Sequence, residues 1–272
     1  MSAQTRAKEP TTQEPTAQAS QGAEQAASDT IYVYGVVHAG HKPPKEKGIA
    51  EASLREIKSG ELAALVSDLP DLSLQLGRKE MTAHVEILDK AHQQGTVLPM
   101  RFGVVMDGEE AVKQYLLDAH RQELEQQLME LKGKVELRVR ATYEEETLLK
   151  EVIAQEPEIA RLRQDLQGKS DDATYYARIR LGEMVANAIQ AKRDADAMAI
   201  LGPLEPLAEA TNVGEPPNER IALTASFLVD ESKIEQFDKA VDEVGRAQAQ
   251  RMKLKYTGPL PPHSFVTLHT GE

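Results

Sequence analysis

The side chains able to do chemistry are few in kind: seven histidines, 44 Asp+Glu, 32 Lys+Arg and no cysteine. Without thiols there are no disulfides, thiolate zinc sites, iron–sulfur clusters or cysteine nucleophiles. His38 and His41 share a glycine-containing loop, but two imidazoles with no third ligand nearby do not make a zinc site. His84 and His92 fall close to one face of a helix, where packing or capping is the expected role. HExxH, GxxxxGK[ST], GxSxG and GxGxxG patterns are all absent. The carboxylate runs Glu144-Glu145-Glu146 and Asp171-Asp172 stand at helix starts, where the macrodipole favours negative charge without any catalytic reason. The residues give no case for an enzyme, a metal or a cofactor.

The informative pattern lies in the cations. Val135, Leu137, Val139 and Ala141 alternate with Lys134, Glu136, Arg138 and Arg140, the signature of a strand with one solvated face. Met252, Leu254 and Tyr256 alternate in the same way with Arg251, Lys253 and Lys255. If the two strands share a sheet, Arg138, Arg140, Arg251, Lys253 and Lys255 decorate one side of it. Such a face is either an ordinary solvated surface with Glu136 nearby, or a docking surface for an acidic partner.

The elements around these residues can be read in order. Residues 1–29 contain no Val, Ile, Leu or aromatic residue and cannot offset their ordering entropy, so a disordered tail is expected. Ile31 to Val37 is a strand, Pro43, Pro44 and Gly48 mark a loop, and Leu62 to Val66 is a second strand. Met81, Val85, Leu88 and His92 recur at helical spacing up to Gly95, and Thr96 to Val105 returns to strand character around Pro99. Glu109 to Leu131 reads as one helix, with Val112, Leu116, Leu117, Leu124, Leu128 and Leu131 as its apolar stripe. After the 134–141 strand, helical sequence runs from Glu144 to about Ala199, broken near Gly168, with Asp171 or Asp172 as a helix cap. Four prolines make 202–219 a connecting loop. Ile221 to Val229 is a strand, Ser232 to Gln250 a helix, and 252–256 the last strand. This interleaving predicts an α+β protein of two small domains, 30–131 and 132–272, each a sheet covered by helices on one face.

Net charge and hydropathy bound the function. The chain carries −12 formal charges, of which −10 belong to residues 30–272, a poor balance for generic nucleic-acid binding. No apolar run approaches the ~18 residues of a membrane span, and the N-terminus lacks a signal peptide's apolar stretch. A soluble, cytoplasmic protein is expected.

Three stretches, met in order, carry a family resemblance. They are Tyr32-Val33-Tyr34-Gly35-Val36-Val37, then His84-Val85-Glu86-Ile87-Leu88 with Thr96-Val97-Leu98-Pro99-Met100-Arg101-Phe102-Gly103, and finally Leu254 to Phe265, with its Thr257-Gly258-Pro259-Leu260-Pro261-Pro262-His263-Ser264-Phe265 run. Together with Gly133-Lys134-Val135-Glu136-Leu137 they resemble the gas vesicle protein GvpL/GvpF family over nearly everything after the tail. The family often has aromatics where this chain has Leu260 and His263. The resemblance implies two ferredoxin-like α+β domains, with a helical insertion in the second. It implies no catalysis and no cofactor, but an accessory role in gas vesicle assembly, in contact with the small hydrophobic shell protein and other accessory proteins. Within the motifs, Arg101 beside Phe102 and Gly103 reads as an anchor holding carbonyls or a carboxylate across a domain boundary. Pro259, Pro261 and Pro262 stiffen the exit from the last strand and Gly258 permits the turn.

Two functions compete. An assembly factor would shield or template a shell subunit whose gas-facing apolar surface is an aggregation hazard. A nucleic-acid-binding regulator would use the cationic sheet face, and such platforms want exposed aromatics for base stacking. The alternating pattern places none beside Arg138, Arg140, Lys253 and Lys255.

Overall fold

A computed structural model describes residues 30–69 and 76–268; the expected disordered tail, 1–29, lies outside them. The first half holds β1 (Thr30–His38), β2 (Leu54–Ser59), β3 (Leu62–Asp68), α1 (Arg78–His92), β4 (Val97–Pro99) and β5 (Val105–Asp107). It continues as α2 (Gly108–Ala111), a π-helical segment (Val112–Asp118) and α3 (Arg121–Glu130). The second half holds β6 (Lys134–Tyr143), α4 (Glu145–Gln155), α5 (Pro157–Leu166), α6 (Asp171–Leu204), β7 (Ala210–Gly214), β8 (Ile221–Asp230), α7 (Ile234–Gln248) and β9 (Met252–Leu260).

Both sheets are antiparallel and repeat one order: β2-β3-β1-β4, with β5 also on β1, and β7-β8-β6-β9. In each, the first strand lies between the third and the fourth, the ferredoxin-like arrangement. The second half follows βαββαβ order, with α4–α6 as its enlarged first crossover. The first half has only a short 3₁₀ turn, Ile49–Glu51, between its first two strands.

Strand alternation builds the cores. In the first sheet Ile31, Val33, Ala64 and Val66 face Val112, Leu116, Leu117, Leu124 and Leu128 of the π segment and α3. Tyr32, Tyr34, Ala63 and Leu65 face Ile87, Leu88 and Ala91 of α1. Helices therefore cover both faces of this sheet, not one as the sequence suggested, and its central strands β1 and β3 are buried almost throughout. The second sheet has one helix-covered face, where Leu137, Val139, Ala225 and Phe227 meet α4–α7.

Several boundaries depart from the sequence reading for local reasons. The expected 109–131 helix is broken at His120 (φ −113°, ψ 16°) after the π segment, and this rephasing keeps its whole apolar stripe on the sheet. Pro157 divides α4 from α5 by taking a first-turn position of α5, where its missing N–H is not needed. Ser170, not Asp171 or Asp172, occupies the N-cap position of α6. The expected 202–219 loop is shorter: α6 runs through Pro203, and Ala210–Gly214 pairs with β8. Strands β2 and β7 are edge strands with few apolar residues, so neither imposed alternation on the sequence.

Candidate functional site

β6 and β9 are neighbours, with Arg140 directly opposite Lys255 and Thr142 opposite Lys253. Arg138, Arg140, Lys253 and Lys255 thus share the face away from α4–α7. Their environments differ. Arg138 donates to Glu136 (2.6 Å) and more loosely to Ser226 (3.4 Å). Lys253, 82% exposed, pairs with Glu144 at 2.8 Å, and this neighbour holds the Glu144 carboxyl below its usual range. Arg140 and Lys255 are exposed and have no ion pair among the described residues. Like charges directly opposite across a ladder repel, so this pair costs the fold something and gains nothing from it.

Arg251 does not belong to the face. Alternation in β9 begins only at Met252, and Arg251 lies in the preceding turn, reaching the helix-covered side. Its guanidinium forks onto Glu151 of α4 (2.7 and 3.0 Å) and Asp196 of α6 (2.9 Å). Asp196 also accepts from Tyr143 Oη at 2.8 Å, and Lys192 pairs with Glu151 at 2.7 Å. The network fixes the helical insertion to the sheet. Hydrogen bonding to Arg251, with Lys192 adding to it, lowers the Glu151 pKa, while burial, then Asp196, raises that of Tyr143.

The near end of the cationic face is closed by the chain itself. Beyond β9, residues 261–268 form a strap that crosses this face and ends on the first half. Opposite Leu137 the β6–β9 register shifts, and Gly258 (φ 152°) supplies the fit: a Cβ there would lie 2.6 Å from Leu137 Cδ2 and 3.0 Å from the Glu136 carbonyl oxygen. The Gly258–Pro259 peptide is cis. Pro262 accepts from the Phe265 N–H at 3.1 Å, tightening the turn around Ser264. Glu136, wholly buried, takes the strap in hand: it accepts from Ser264 N (2.7 Å), Ser264 Oγ (2.9 Å) and Ser226 Oγ (2.8 Å) as well as from Arg138. Phe265, Val266 and Leu268 then pack beside Leu228 on the core of the first half, and Gln127 exchanges two hydrogen bonds with Thr267 (2.6 and 3.0 Å). The sequence treated Glu136 as a minor charge of the solvated face; only its serine partners, 90 and 128 residues away, give it this role.

The other motif residues converge on His84, which is 2% exposed. The Met100 carbonyl can only accept, so His84 Nε2 carries the proton (3.2 Å) and Nδ1 accepts from Tyr32 Oη (3.0 Å). Tyr32 Oη in turn accepts the Gly103 N–H (2.9 Å), and the Phe102 ring meets His84 edge-on at 5.7 Å. Burial pushes the His84 pKa down to about 4 and raises that of Tyr32 to about 12. The opening strand, α1 and the 97–103 segment are welded here. Arg101 does not take part: its side chain is exposed and has no hydrogen-bond partner among the described residues, so it is not the anchor the sequence suggested. Neighbouring backbone groups and His84 do that work. Of the two histidines expected in one loop, His41 bonds the Ala91 carbonyl (2.9 Å), whereas His38 is the exposed last residue of β1.

Among the described residues no group of three or more His, Cys, Asp or Glu is placed to hold a metal ion, and no helix is long and apolar enough to cross a membrane. Fold and site together define a two-sheet α+β protein whose distinctive outward feature is a cationic surface. Residues 30–267 match the family model of the gas vesicle synthesis protein GvpL/GvpF, and the chain belongs to that family. It is 37% identical to gas vesicle protein F of Streptomyces sp. (strain CB03234), over 87% of this chain and 99% of that one. It is 26% identical to gas vesicle protein F1 of Halobacterium salinarum, covering 90% and 96%. Among solved structures it resembles GvpF from Anabaena sp. PCC7120, with a TM-score of 0.77 at 20% identity, covering 88% of this chain and 98% of that one. GvpF from Microcystis aeruginosa gives 0.74 at 18%, covering 88% and 100%. The α+β fold with two antiparallel sheets and the role in gas vesicles expected from the motifs are thereby shown.

Proposed function

We propose that this protein is a non-enzymatic accessory factor in gas vesicle assembly that engages the small hydrophobic shell protein during nucleation or growth, and does so through the open cationic face of its second sheet. Family membership supports the setting. The observation that supports the face is the Arg140–Lys255 pair, two unneutralised like charges held in register on a body of −10. A carboxylate-bearing partner would relieve that repulsion on docking and be oriented by it. The acidity of the rest of the surface keeps a complex with an aggregation-prone subunit in solution. A stacking platform for oligonucleotides is less well served, since Tyr256 lies on the other side of the sheet, stacked on Phe237 and bonded to Asp238 at 2.6 Å.

The test is association kinetics with the shell protein at low and physiological salt, comparing wild type with the Lys253→Glu/Lys255→Glu double variant. Lys253→Glu exchanges an exposed ion pair with Glu144 for an exposed, solvent-screened repulsion, and Lys255→Glu gives Arg140 an opposite charge, so the fold should persist. A slower on-rate with a flatter salt dependence is expected. Unchanged on-rates in the folded variant would return these lysines to a plain solvated face.

A further inference from the structure

A second surface is defined by Arg101. A groove of about 350 Å³ lies between the 99–104 segment of the first half and the end of the strap, walled by Pro99, Met100, Val104, Val266 and Leu268, and among the described residues Arg101 is its one charged lining residue. Every other member of the Leu98–Gly103 motif has a structural task. Leu98 is in the core, Pro99 sits opposite Gly35 in the β1–β4 ladder, Met100 bonds Tyr34 and His84, and Phe102 and Gly103 close the Tyr32–His84 cluster. Arg101 alone has none, and on a chain with twelve excess negative charges its guanidinium has no carboxylate within reach among the described residues.

We infer that this groove docks a protein segment carrying an Asp or Glu between apolar side chains, with Arg101 as the partner of its carboxylate. The apolar walls would bury the flanking side chains, and the planar guanidinium matches a carboxylate through two parallel N–H···O bonds. A cavity of this size is at the small end for a ligand site, suited to a few side chains and not to a large cofactor. Arginine backed by apolar surface is also the composition of interface hot spots. The inference is independent of the cationic sheet face: it involves neither Arg140 nor Lys255, and it does not depend on which protein supplies the segment. The competing occupant is this chain's own 269–272, which follows Leu268 directly and contains Glu272.

The experiment is an NMR titration of the full chain, with arginine side-chain nitrogens and Val, Leu and Met methyls labelled. Two blocked peptides serve as probes, acetyl-Leu-Glu-Leu-amide and acetyl-Leu-Gln-Leu-amide. The Arg101 Nε signal and the Val266 and Leu268 methyls should shift saturably with the first peptide, about tenfold more tightly than with the second, as one charge-assisted contact requires. Arg101→Ala should abolish the difference while leaving the thermal melt unchanged, because the side chain holds nothing in the fold. A chain lacking 269–272 should bind the Glu peptide like wild type. Equal shifts with both peptides, or none, would overturn the inference, and so would binding that appears only after 269–272 are removed, since that would make Glu272 the natural occupant.

Discussion

Glu136→Gln isolates the contribution of the buried carboxylate that holds the strap. Its two oxygens accept four hydrogen bonds, from Arg138, Ser226 and twice from Ser264, at 2.6–2.9 Å. A carboxylate only accepts, whereas an amide presents N–H donors in place of one oxygen. Turned one way, the amide nitrogen faces the Ser264 backbone N–H; turned the other, it faces Arg138 and the two serine hydroxyls. The hydroxyls can rotate to accept, but neither the backbone N–H nor the guanidinium can. At least one bond to a charged group is lost, worth about 1.5–3 kcal/mol, and a buried donor left unpaired costs about 1–3 kcal/mol. Arg138 is 40% exposed, so water can re-solvate it and the favoured turn is toward that side. A net loss of about 2.5 kcal/mol follows, at the lower end of these sums. Urea unfolding at neutral pH would measure it, and limited chymotrypsin digestion would report whether cleavage after Phe265 accelerates as the strap loosens. A loss under about 0.5 kcal/mol, with unchanged cleavage at Phe265, would refute the view that Glu136 clamps the strap.

Acid should weaken the fold through His84. Its folded pKa of about 4 lies below the 6.5 of an exposed histidine, so the neutral ring contributes stability that is complete above pH 6.5 and is lost as pH falls toward 4, on the order of 3 kcal/mol. Burial lowers His92 and His263 in the same direction, so His84→Gln should reduce the slope of stability against pH between 7 and 4 without flattening it, as denaturant midpoints across that range would show. Arg251→Ala leaves Glu151 and Asp196 with Lys192 alone as their cation and should cost about 3 kcal/mol, with Arg251→Lys recovering only part because it cannot fork; thermal melts of both variants check this. Gly258→Ala drives a Cβ into Leu137 and the Glu136 carbonyl at a φ that disfavours side chains, and a loss of about 2 kcal/mol or more in urea unfolding is expected.

The sequence by itself determined the parts whose signal is local. Alternation at 134–141 and 252–256, the helical stripe of residues 112–128 and the punctuation by Gly133 and Gly168 all act within a few residues, and side-chain period alone puts Arg138, Arg140, Lys253 and Lys255 on one kind of face. The motifs at Tyr32, His84, 97–103 and 257–265 were also visible as residue types, and they led to the right family. Which of those residues does what was decided by tertiary structure. Arg251 shares the parity of Lys253 and Lys255, yet one residue of turn releases it from the strand, and Glu151 and Asp196, brought over by α4 and α6, draw it to the covered side. Arg101 looked like an anchor because arginine so often is one, but the groups that needed anchoring were already satisfied by His84 and Tyr32. Glu136 stands among charged neighbours in the sequence and becomes buried only because residues 261–268 return across its face. Edge strands β2 and β7 escaped notice because a strand paired on one side needs little apolar pattern. In each case the deciding partner is distant along the chain, and the free energy that fixes the role comes from a contact that local propensity cannot encode.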